Sequence, residues 1–239
     1  MLKVALFSRY PQDASCPHGG VESVTVVLVR ALARLAELDV HVVTLERGRS
    51  EPAVESSQGA TIHRLPGSRW PQLLDIHHGP GRRRLLRCLR KLQPDIVHSH
   101  ETHGLALWDL DIPHVFTVHG FDHANLPAQQ AKYAALRSWL WRRAEKKNLA
   151  RHRHIISITP YVRQMIEPLT NAVIHDIENP VDERFFGVAP RPEPGRVLCV
   201  GWIDDRKNTL GAVEAVAEVV SRGVSAKLVI AGTQKEPEY

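Results

Sequence analysis

Short apolar runs alternate with longer amphipathic segments along most of the chain. This alternation is typical of βα units, in which helices join buried parallel strands. The first part of the chain contains seven predicted strands, over residues 3–8, 40–45, 61–65, 95–100, 114–119, 154–159 and 172–177. Apolar residues at helical spacing predict helices over 22–38, 83–92 and 128–150. The pattern predicts an α/β fold with a Rossmann-like parallel sheet and helices on both of its faces.

A proline-rich segment then divides the chain. Residues 190–195, Pro-Arg-Pro-Glu-Pro-Gly, sustain neither a helix nor an inner strand, so residues 181–195 are interpreted as an interdomain linker. Beyond it, the pattern predicts a strand over 196–203, a helix over 210–220 and a strand over 228–231. A single βαβ unit leaves one sheet face and an edge uncovered. We therefore expect a complete domain over residues 1–180 and the truncated start of a second over 196–239.

Composition places the chain among ordinary globular proteins. Of its 239 residues, 43% are apolar and 24% are charged, which excludes disordered and collagen-like chains. The three cysteines, Cys16, Cys88 and Cys199, are far apart and form no Cys-x-x-Cys pair, which argues against a disulfide framework or a zinc site. We therefore expect a cytoplasmic protein. Since no run approaches the ~18 apolar residues of a membrane span, membrane contact is expected to be peripheral, at the inner face of the membrane.

The net charge of +5 is concentrated in two stretches, residues 82–91 and 137–153. The first predicts an amphipathic helix with leucines on one side and basic residues largely on the other: Arg83, Arg84, Arg87, Arg90 and Lys91. Such a face is either solvated or suited to an anionic lipid surface. The second stretch adds tryptophans of the interfacial type. No nucleic-acid recognition motif accompanies this charge, so nucleic acid is not an expected partner.

Ligands of open α/β sheets bind beyond the carboxyl ends of the strands, so the segments that follow strands are the candidate sites. After the first strand, Gly19 and Gly20 lead directly into a helix, where backbone N–H groups can approach a phosphate. A bare Gly-Gly pair is equally a turn. Glu22 would repel an anion unless its side chain points away.

Histidines follow two further strands. His98 and His100 lie on one face of a strand end and, with His103, could form a metal site, but no spacing fixes a fourth ligand. We interpret them as polar groups that line a cleft, and expect no metal. His119 and Asp122 come directly after a buried strand, which makes His119 the best catalytic candidate, with a structural histidine as the open alternative.

Several motifs follow one another in a characteristic order. They are Gly19-Gly20-Val21-Glu22, the strand 95–100 with its His-x-His, Thr117-Val118-His119-Gly120, the segment 179–185, and Val200-Gly201 followed by Arg206-Lys207. This ordered series resembles the family 4 glycosyltransferases, which are retaining sugar-nucleotide enzymes of the two-domain GT-B fold.

The resemblance implies transfer of a hexose from a nucleotide-sugar donor, bound between two domains, without metal or another cofactor. By position, Gly19 and Gly20 would contact the donor diphosphate, and His119 would lie beside the donor sugar as the catalytic residue. Arg206 and Lys207 would hold phosphate oxygens, although the pair could equally form a solvated turn.

The first domain would supply the acceptor site, with His98, His100 and Asp122 lining the cleft. The expected acceptor is a lipid-linked or cell-envelope saccharide. Two departures from the family pattern stand out. Trp202 replaces an arginine that usually follows the glycine, and the Glu-x7-Glu segment that contacts sugar and ribose is absent. We therefore expect the 239-residue chain by itself to be inactive.

Two alternatives stay open. The chain could be a non-catalytic α/β module that binds an anionic membrane or a partner through residues 82–91 and 137–153. It could also be another sugar-nucleotide enzyme of the same fold, such as an epimerase.

Overall fold

A computed structural model describes residues 1–107, 109–128 and 132–234. They form two compact units. The first combines Met1–Asp122 with Trp139–Asp182, and the second combines His123–Ser138 with the chain from Glu183 onward. The domain limits 1–180 and 196–239 stay a prediction. Residues 129–131 of the predicted helix 128–150, and residues 235–239 of the predicted second domain, lie outside the described residues.

Eight strands form a mostly parallel sheet within the described part of the first unit, in the order β3-β4-β2-β1-β5-β6-β7-β8. Their bounds are β1 Leu2–Phe7, β2 Leu38–Glu46, β3 Ala53–Ser57, β4 Ala60–Pro66, β5 Ile96–His100, β6 His114–Val118, β7 His154–Ser157 and β8 Val173–Asp176. β3 pairs antiparallel with β4, and the other neighbouring strands pair in parallel. The predicted Rossmann-like α/β class is confirmed.

The helices of the first unit are α1 Gly20–Leu32, α2 Gln72–His77, α3 Pro80–Leu92 and α6 Pro160–Ile166. Helix α4 Asp122–Ala128 after its first residue, and α5 Ala134–Leu149 up to Ser138, are assigned to the second unit, and the rest of α5 belongs to the first. A 3-10 turn over Glu101–Ala106 follows β5 directly. The central strands β1 and β2 are largely apolar and buried, because both faces of the sheet are covered there. Val26 and Val29 of α1 are buried in one cluster with Leu6, Val42 and Ile62 of three neighbouring strands.

The order of the strands creates a switch point between β1 and β5. The chain leaves β1 through α1 toward β2 on one side, and later returns through α2 and α3 to β5 on the other side. Connections that diverge in this way leave a crevice at the carboxyl ends of the two strands, where such folds bind ligands. Of the predicted site residues of the first unit, Gly19 and Gly20 follow β1. His98 and His100 lie in β5, and His119 and Asp122 follow β6.

The sequence misplaced several boundaries. The predicted helix 22–38 ends at Leu32, and Leu38 begins β2. The edge strand β3 was missed, because its residues Glu55 and Ser56 are polar, and it turns into β4 through Gln58 and Gly59 at positive φ. Of the described residues in the predicted helix 128–150, Ala128 ends α4 and 134–149 form α5, whereas 132, 133 and 150 lie in turns. The short helices α2 and α6 were missed too.

The second unit contains a parallel pair, β9 Arg196–Val200 and β10 Lys227–Ala231, joined by α7 Thr209–Ser221. This is the predicted βαβ unit. Large apolar side chains of its strands are exposed, including Leu198 at 63% and Val200 at 70%. No helix among the described residues is long and apolar enough to cross a membrane.

Candidate active site

Histidines from two neighbouring strands meet at the carboxyl ends of β5 and β6. The Nε2 atom of His98 lies 2.7 Å from the hydroxyl of Thr117, and the Nδ1 atom of His100 lies 2.9 Å from the Nε2 atom of His119. The rings of His100 and His119 are stacked, with centroids 5.2 Å apart. The structure thus brings together three of the predicted site residues, and each cross-strand pair holds an imidazole in a fixed orientation.

Burial keeps these imidazoles uncharged. It lowers the pKa of His98 and of His119 to about 4 and that of His103 to about 3. The pKa of His100 lies well below its ordinary value, because the ring is buried and neighbouring imidazoles add repulsion. Two neutral rings share a hydrogen bond only if one nitrogen donates and the other accepts. His100 and His119 therefore fix each other's tautomer, and His119 at neutral pH is a hydrogen-bonding group rather than a cation.

The cluster does not have the geometry of a metal site. Among the described residues, no group of three His, Cys, Asp or Glu side chains is placed to hold a metal ion. The Nε2 atom of His100 is buried and has no hydrogen-bond partner within the described structure.

The Gly19–Gly20 loop leaves open space at the start of α1. A Cβ atom on either glycine would meet no described atom within 4 Å. The backbone of Gly19 is extended, so local conformation does not require glycine there. The carboxylate of Glu22 accepts a hydrogen bond of 2.8 Å from the N–H of His18, so its side chain turns back onto the loop. Backbone groups at this helix N-terminus are accessible to an anionic ligand.

Asp122 begins α4 and borders a small cavity of about 20 Å³. Its backbone N–H donates to the carboxylate of Glu145 over 2.8 Å, and Glu145 and Glu101 line the same cavity. Burial raises the pKa of the Glu101 carboxyl, against the opposing effect of Arg9. Sequence reasoning missed both glutamates. Glu145 lies in a strongly basic helix, and only the fold shows that it is buried.

In the second unit, Arg206 and Lys207 lie just before α7, in a 3-10 turn over Asp205–Lys207. The buried carboxylate of Asp204 accepts the N–H of Lys207 over 2.9 Å, which fixes the turn, and both basic side chains are exposed. A Cβ on Gly232 would overlap the carbonyl oxygen of Gly201, so only glycine fits where the ends of β9 and β10 meet. The structure thus places the basic pair near a strand end, as the sequence predicts.

The basic helix α3 is amphipathic. Leu85 and Leu89 are fully buried. Four of its cations are exposed: Arg83, Arg87, Arg90 and Lys91. Arg84 differs from them, because its guanidinium donates to the carbonyl oxygen of Pro66 over 2.9 Å.

In α5 the two tryptophans also differ. Trp141 is buried, whereas Trp139 is 53% exposed, and the Arg143 guanidinium lies 5.0 Å from its ring centroid. Only Trp139 of this pair is available to an interface.

A comparison with protein families identifies the group to which these features belong. The model of Glycosyltransferase Family 4 matches residues 18–185, which is most of the chain. The chain belongs to glycosyltransferase family 4. The matched region of this family 4 chain contains the glycine loop, His98, His100, His119 and Asp122, and it ends before Arg206 and Lys207.

Solved structures of glycosyltransferases share the fold. Sucrose-phosphate synthase from Thermosynechococcus elongatus matches with a TM-score of 0.73 at 18% identity, over 100% of this chain and 64% of that protein. The catalytic domain of starch synthase IV from Arabidopsis thaliana, bound to ADP and acarbose, matches with a TM-score of 0.56 at 13% identity, over 99% and 69% of the two chains.

A third structure, described as trehalose-6-phosphate from E. coli bound with UDP-2-fluoro glucose, has a TM-score of 0.58 at 12% identity, over 98% of this chain and 65% of that one. These likenesses show the GT-B fold. The family 4 chain spans about two thirds of the length of these proteins. A comparison with curated protein sequences gives no match.

Proposed function

We propose that this family 4 chain forms the acceptor side and part of the donor side of a retaining hexosyltransferase that uses a nucleotide sugar. The observation that carries the proposal is the family match over residues 18–185, because it includes the glycine loop after β1 and the histidine pair at the ends of β5 and β6. Two of the structurally similar proteins hold ADP or a UDP-sugar, which supports a nucleotide-linked donor.

In the proposed reaction, the bond between the anomeric carbon and the diphosphate oxygen breaks, and its electron pair leaves with the nucleoside diphosphate. An acceptor hydroxyl oxygen forms a new bond to the same carbon, and its proton passes to the departing phosphate or to solvent. Charge develops on the diphosphate. Accessible N–H groups at Gly19 and Gly20 and the cations Arg206 and Lys207 would offset it without a metal.

His119 is the proposed catalytic residue. Its neutral ring, held by His100, would donate or accept a hydrogen bond at the donor sugar. Fixing that ring before the donor binds avoids the cost of ordering it in the transition state. His98, His100 and Asp122 are proposed to shape the acceptor side.

The test is turnover with a panel of UDP-, GDP- and ADP-hexoses, using the protein at its native length. We expect release of nucleoside diphosphate from at least one donor and a product with the anomeric configuration of the donor. The 239-residue chain alone is expected to bind nucleotide weakly and to be inactive. A product with inverted anomeric configuration would contradict the proposal. So would the absence of both hydrolysis and transfer with every donor of the panel. An isomerised nucleotide sugar as product would indicate an epimerase instead.

A second candidate function is favoured by the exposed cations of α3, which present one basic face. A non-catalytic module could use this face, and that of residues 137–153, to bind an anionic membrane or a partner. The same face is compatible with a cytoplasmic transferase that approaches a lipid-linked or cell-envelope acceptor at the inner side of a membrane.

A further inference from the structure

A charged side chain lies in the interior of the first unit, beside the loop that joins β1 to α1. Arg64, near the end of β4, is fully buried. Alternate residues of a strand point to the same face, so Arg64 shares a face with Ile62, which packs in one cluster with residues of α1. A buried guanidinium is unfavourable unless its N–H groups are paired, so its partners identify the part of the structure that depends on it.

Two carboxylates compensate the charge of Arg64. Its Nε atom donates to Glu55 over 2.8 Å, and its Nη1 atom donates to Glu46. Glu46 is the last residue of β2, and Glu55 lies in the edge strand β3. Arg49 also donates to Glu46, over 2.6 Å. Hydrogen bonds between a planar guanidinium and a carboxylate are directional, so the two neighbouring strands fix the orientation of the guanidinium.

The guanidinium also holds the backbone of the loop after β1. Its Nη2 atom donates to the carbonyl oxygen of Pro11 over 2.8 Å, and its Nη1 atom donates to that of Tyr10 over 3.3 Å. A buried carbonyl oxygen requires a donor, and a loop has no neighbouring strand to supply one. The five N–H groups of arginine form a fork that reaches two carboxylates and two carbonyls at once, whereas a lysine carries three donors on a single atom.

Tyr10 links the same loop to the edge strand. Its side chain is 5% exposed, its hydroxyl lies 3.0 Å from that of Ser57 in β3, and its ring centroid lies 5.9 Å from the Arg64 guanidinium. Strand β3 therefore supports the start of the loop through both Glu55 and Ser57. This gives a role to a polar edge strand that carries none of the predicted site residues.

The rest of the loop is shaped by local contacts. The carboxylate of Asp13 accepts the N–H of Ser15 over 2.8 Å, and that of Glu22 accepts the N–H of His18 over 2.8 Å. Contacts of this kind form turns within the loop and at the start of α1, but they do not tie the loop to the sheet. The hydrogen bonds from Arg64 do so.

We infer that Arg64 is a positioning residue for the glycine pair. By holding the carbonyl oxygens of Tyr10 and Pro11, it fixes the start of the loop, and α1 fixes the end. The N–H groups of Gly19 and Gly20 are thereby ordered before a ligand arrives, and a loop ordered in advance loses less conformational entropy on binding. That this ligand is the donor diphosphate rests on the proposed function, whereas the ordering of the loop does not.

Amide hydrogen exchange of the protein at its native length tests the ordering of the loop. Arg64→Lys keeps the positive charge but not the reach to both carbonyl oxygens. We expect exchange of residues 10–20 to become about 10-fold faster, the usual effect of one lost hydrogen bond to a charged group. Tyr10→Phe removes only the contact with Ser57 and should accelerate exchange of the same segment by a smaller factor. It decides the question if Arg64→Lys does not fold.

Arg82→Lys is the matched control. The side chain of Arg82 is 13% exposed, donates to the carbonyl oxygen of Ala106 over 3.0 Å and pairs with Asp109. It thus resembles Arg64 in its burial and in its kind of partners, but it lies in α3. Its substitution should leave the exchange of residues 10–20 unchanged.

Calorimetry with UDP, GDP and ADP and with the matching monophosphates tests the link to the donor. Because the glycine pair is proposed to contact the diphosphate, Arg64→Lys should weaken binding of the diphosphate that the parent protein prefers, by about 10-fold. The matching monophosphate should lose less affinity, and Arg82→Lys should change neither. A partial loss of folded protein would lower the number of sites for both nucleotides without changing their relative affinity.

Two outcomes would overturn the inference. One is unchanged exchange of residues 10–20 in folded Arg64→Lys and Tyr10→Phe. The other is faster exchange without a selective loss of diphosphate affinity, because Arg64 would then support the fold and not the ligand. If the parent protein binds no nucleotide while exchange responds as expected, Arg64 still positions the loop and only the proposed function is refuted.

Discussion

The histidines of the site are neutral because they are buried, and this property follows from individual residues. His98 and His100 lie on inner strand β5, and His119 directly follows β6. Their partners are a hydroxyl and each other rather than carboxylates. Among the described residues, no carboxylate at hydrogen-bond distance offsets the cost of charging them. The neutral rings can donate and accept hydrogen bonds at neutral pH, whereas in acid their burial lowers the stability of the fold.

We therefore predict that the protein loses stability below neutral pH. His98 takes up a proton near pH 6.5 in the unfolded chain but only near pH 4 when folded, so the unfolded state binds more protons in between. The stability is fully present above about pH 6.5 and is lost as the pH falls toward 4, by about 3 kcal/mol for this residue alone. His103 and His152, with folded pKa values of about 3, add to the loss.

Urea denaturation between pH 7.5 and pH 4.5 measures this effect. If the free energy of unfolding does not change over this pH interval, the histidines are solvated rather than buried, and the prediction is wrong.

The sequence could point to His98, His100 and His119 because each lies at or just after a strand end. It could not predict their pairing, since contact between β5 and β6 depends on the strand order. The sequence pattern did not predict the burial of Arg64 either. This fully buried arginine pairs with Glu46 and Glu55 and donates to the carbonyl of Pro11 over 2.8 Å, thereby anchoring the loop after β1. A charged residue in a strand appears exposed until its partners are known.

Among the elements, helix α3 has one face buried in the protein and one face exposed to solvent. Its leucines are buried, and two of its arginines are engaged by the fold: Arg84 with Pro66, and Arg82 with the carbonyl oxygen of Ala106 over 3.0 Å. The remaining basic face is exposed. The helical pattern alone predicted the amphipathic helix but could not separate structural arginines from exposed ones.

If the exposed face binds lipid, reversing three of its charges must abolish binding. We predict that Arg83→Glu, Arg87→Glu and Arg90→Glu together reduce flotation with phosphatidylglycerol vesicles about 100-fold or more, since each cation near an anionic surface contributes about 1 kcal/mol. The matched control reverses three exposed cations of the second unit, Arg191, Arg222 and Lys227. Equal flotation of both triple variants would exclude a specific role for α3.

Most long elements were predicted from periodicity, and the errors fall where periodicity is weak. α2 and α6, at six and seven residues, are too short to display a helical repeat. The polar edge strand β3 carries no alternating pattern, and its existence depends on pairing with β4. Helix ends depended on local context, as at Leu32, where apolar residues continue beyond the helix.

On the scale of the whole molecule, the fold class, the βαβ unit that begins at Arg196 and the family were all predictable, because they rest on the order of elements and motifs. A polar cavity of about 340 Å³ in the first unit was not, since its lining residues are spread along the chain from Arg9 to His103. The same strand order explains why a glycine loop, a histidine pair and a polar cavity converge in one unit.

The most direct test of the account is the turnover number of His119→Ala with the preferred nucleotide sugar, measured on the protein at its native length. Removing one preorganised hydrogen-bonding group at a reacting sugar should lower turnover about 100-fold or more. His154→Ala, the same substitution at an exposed histidine, should retain parental turnover. Full activity of folded His119→Ala would contradict the account, because the site would then not depend on the histidine around which it is built.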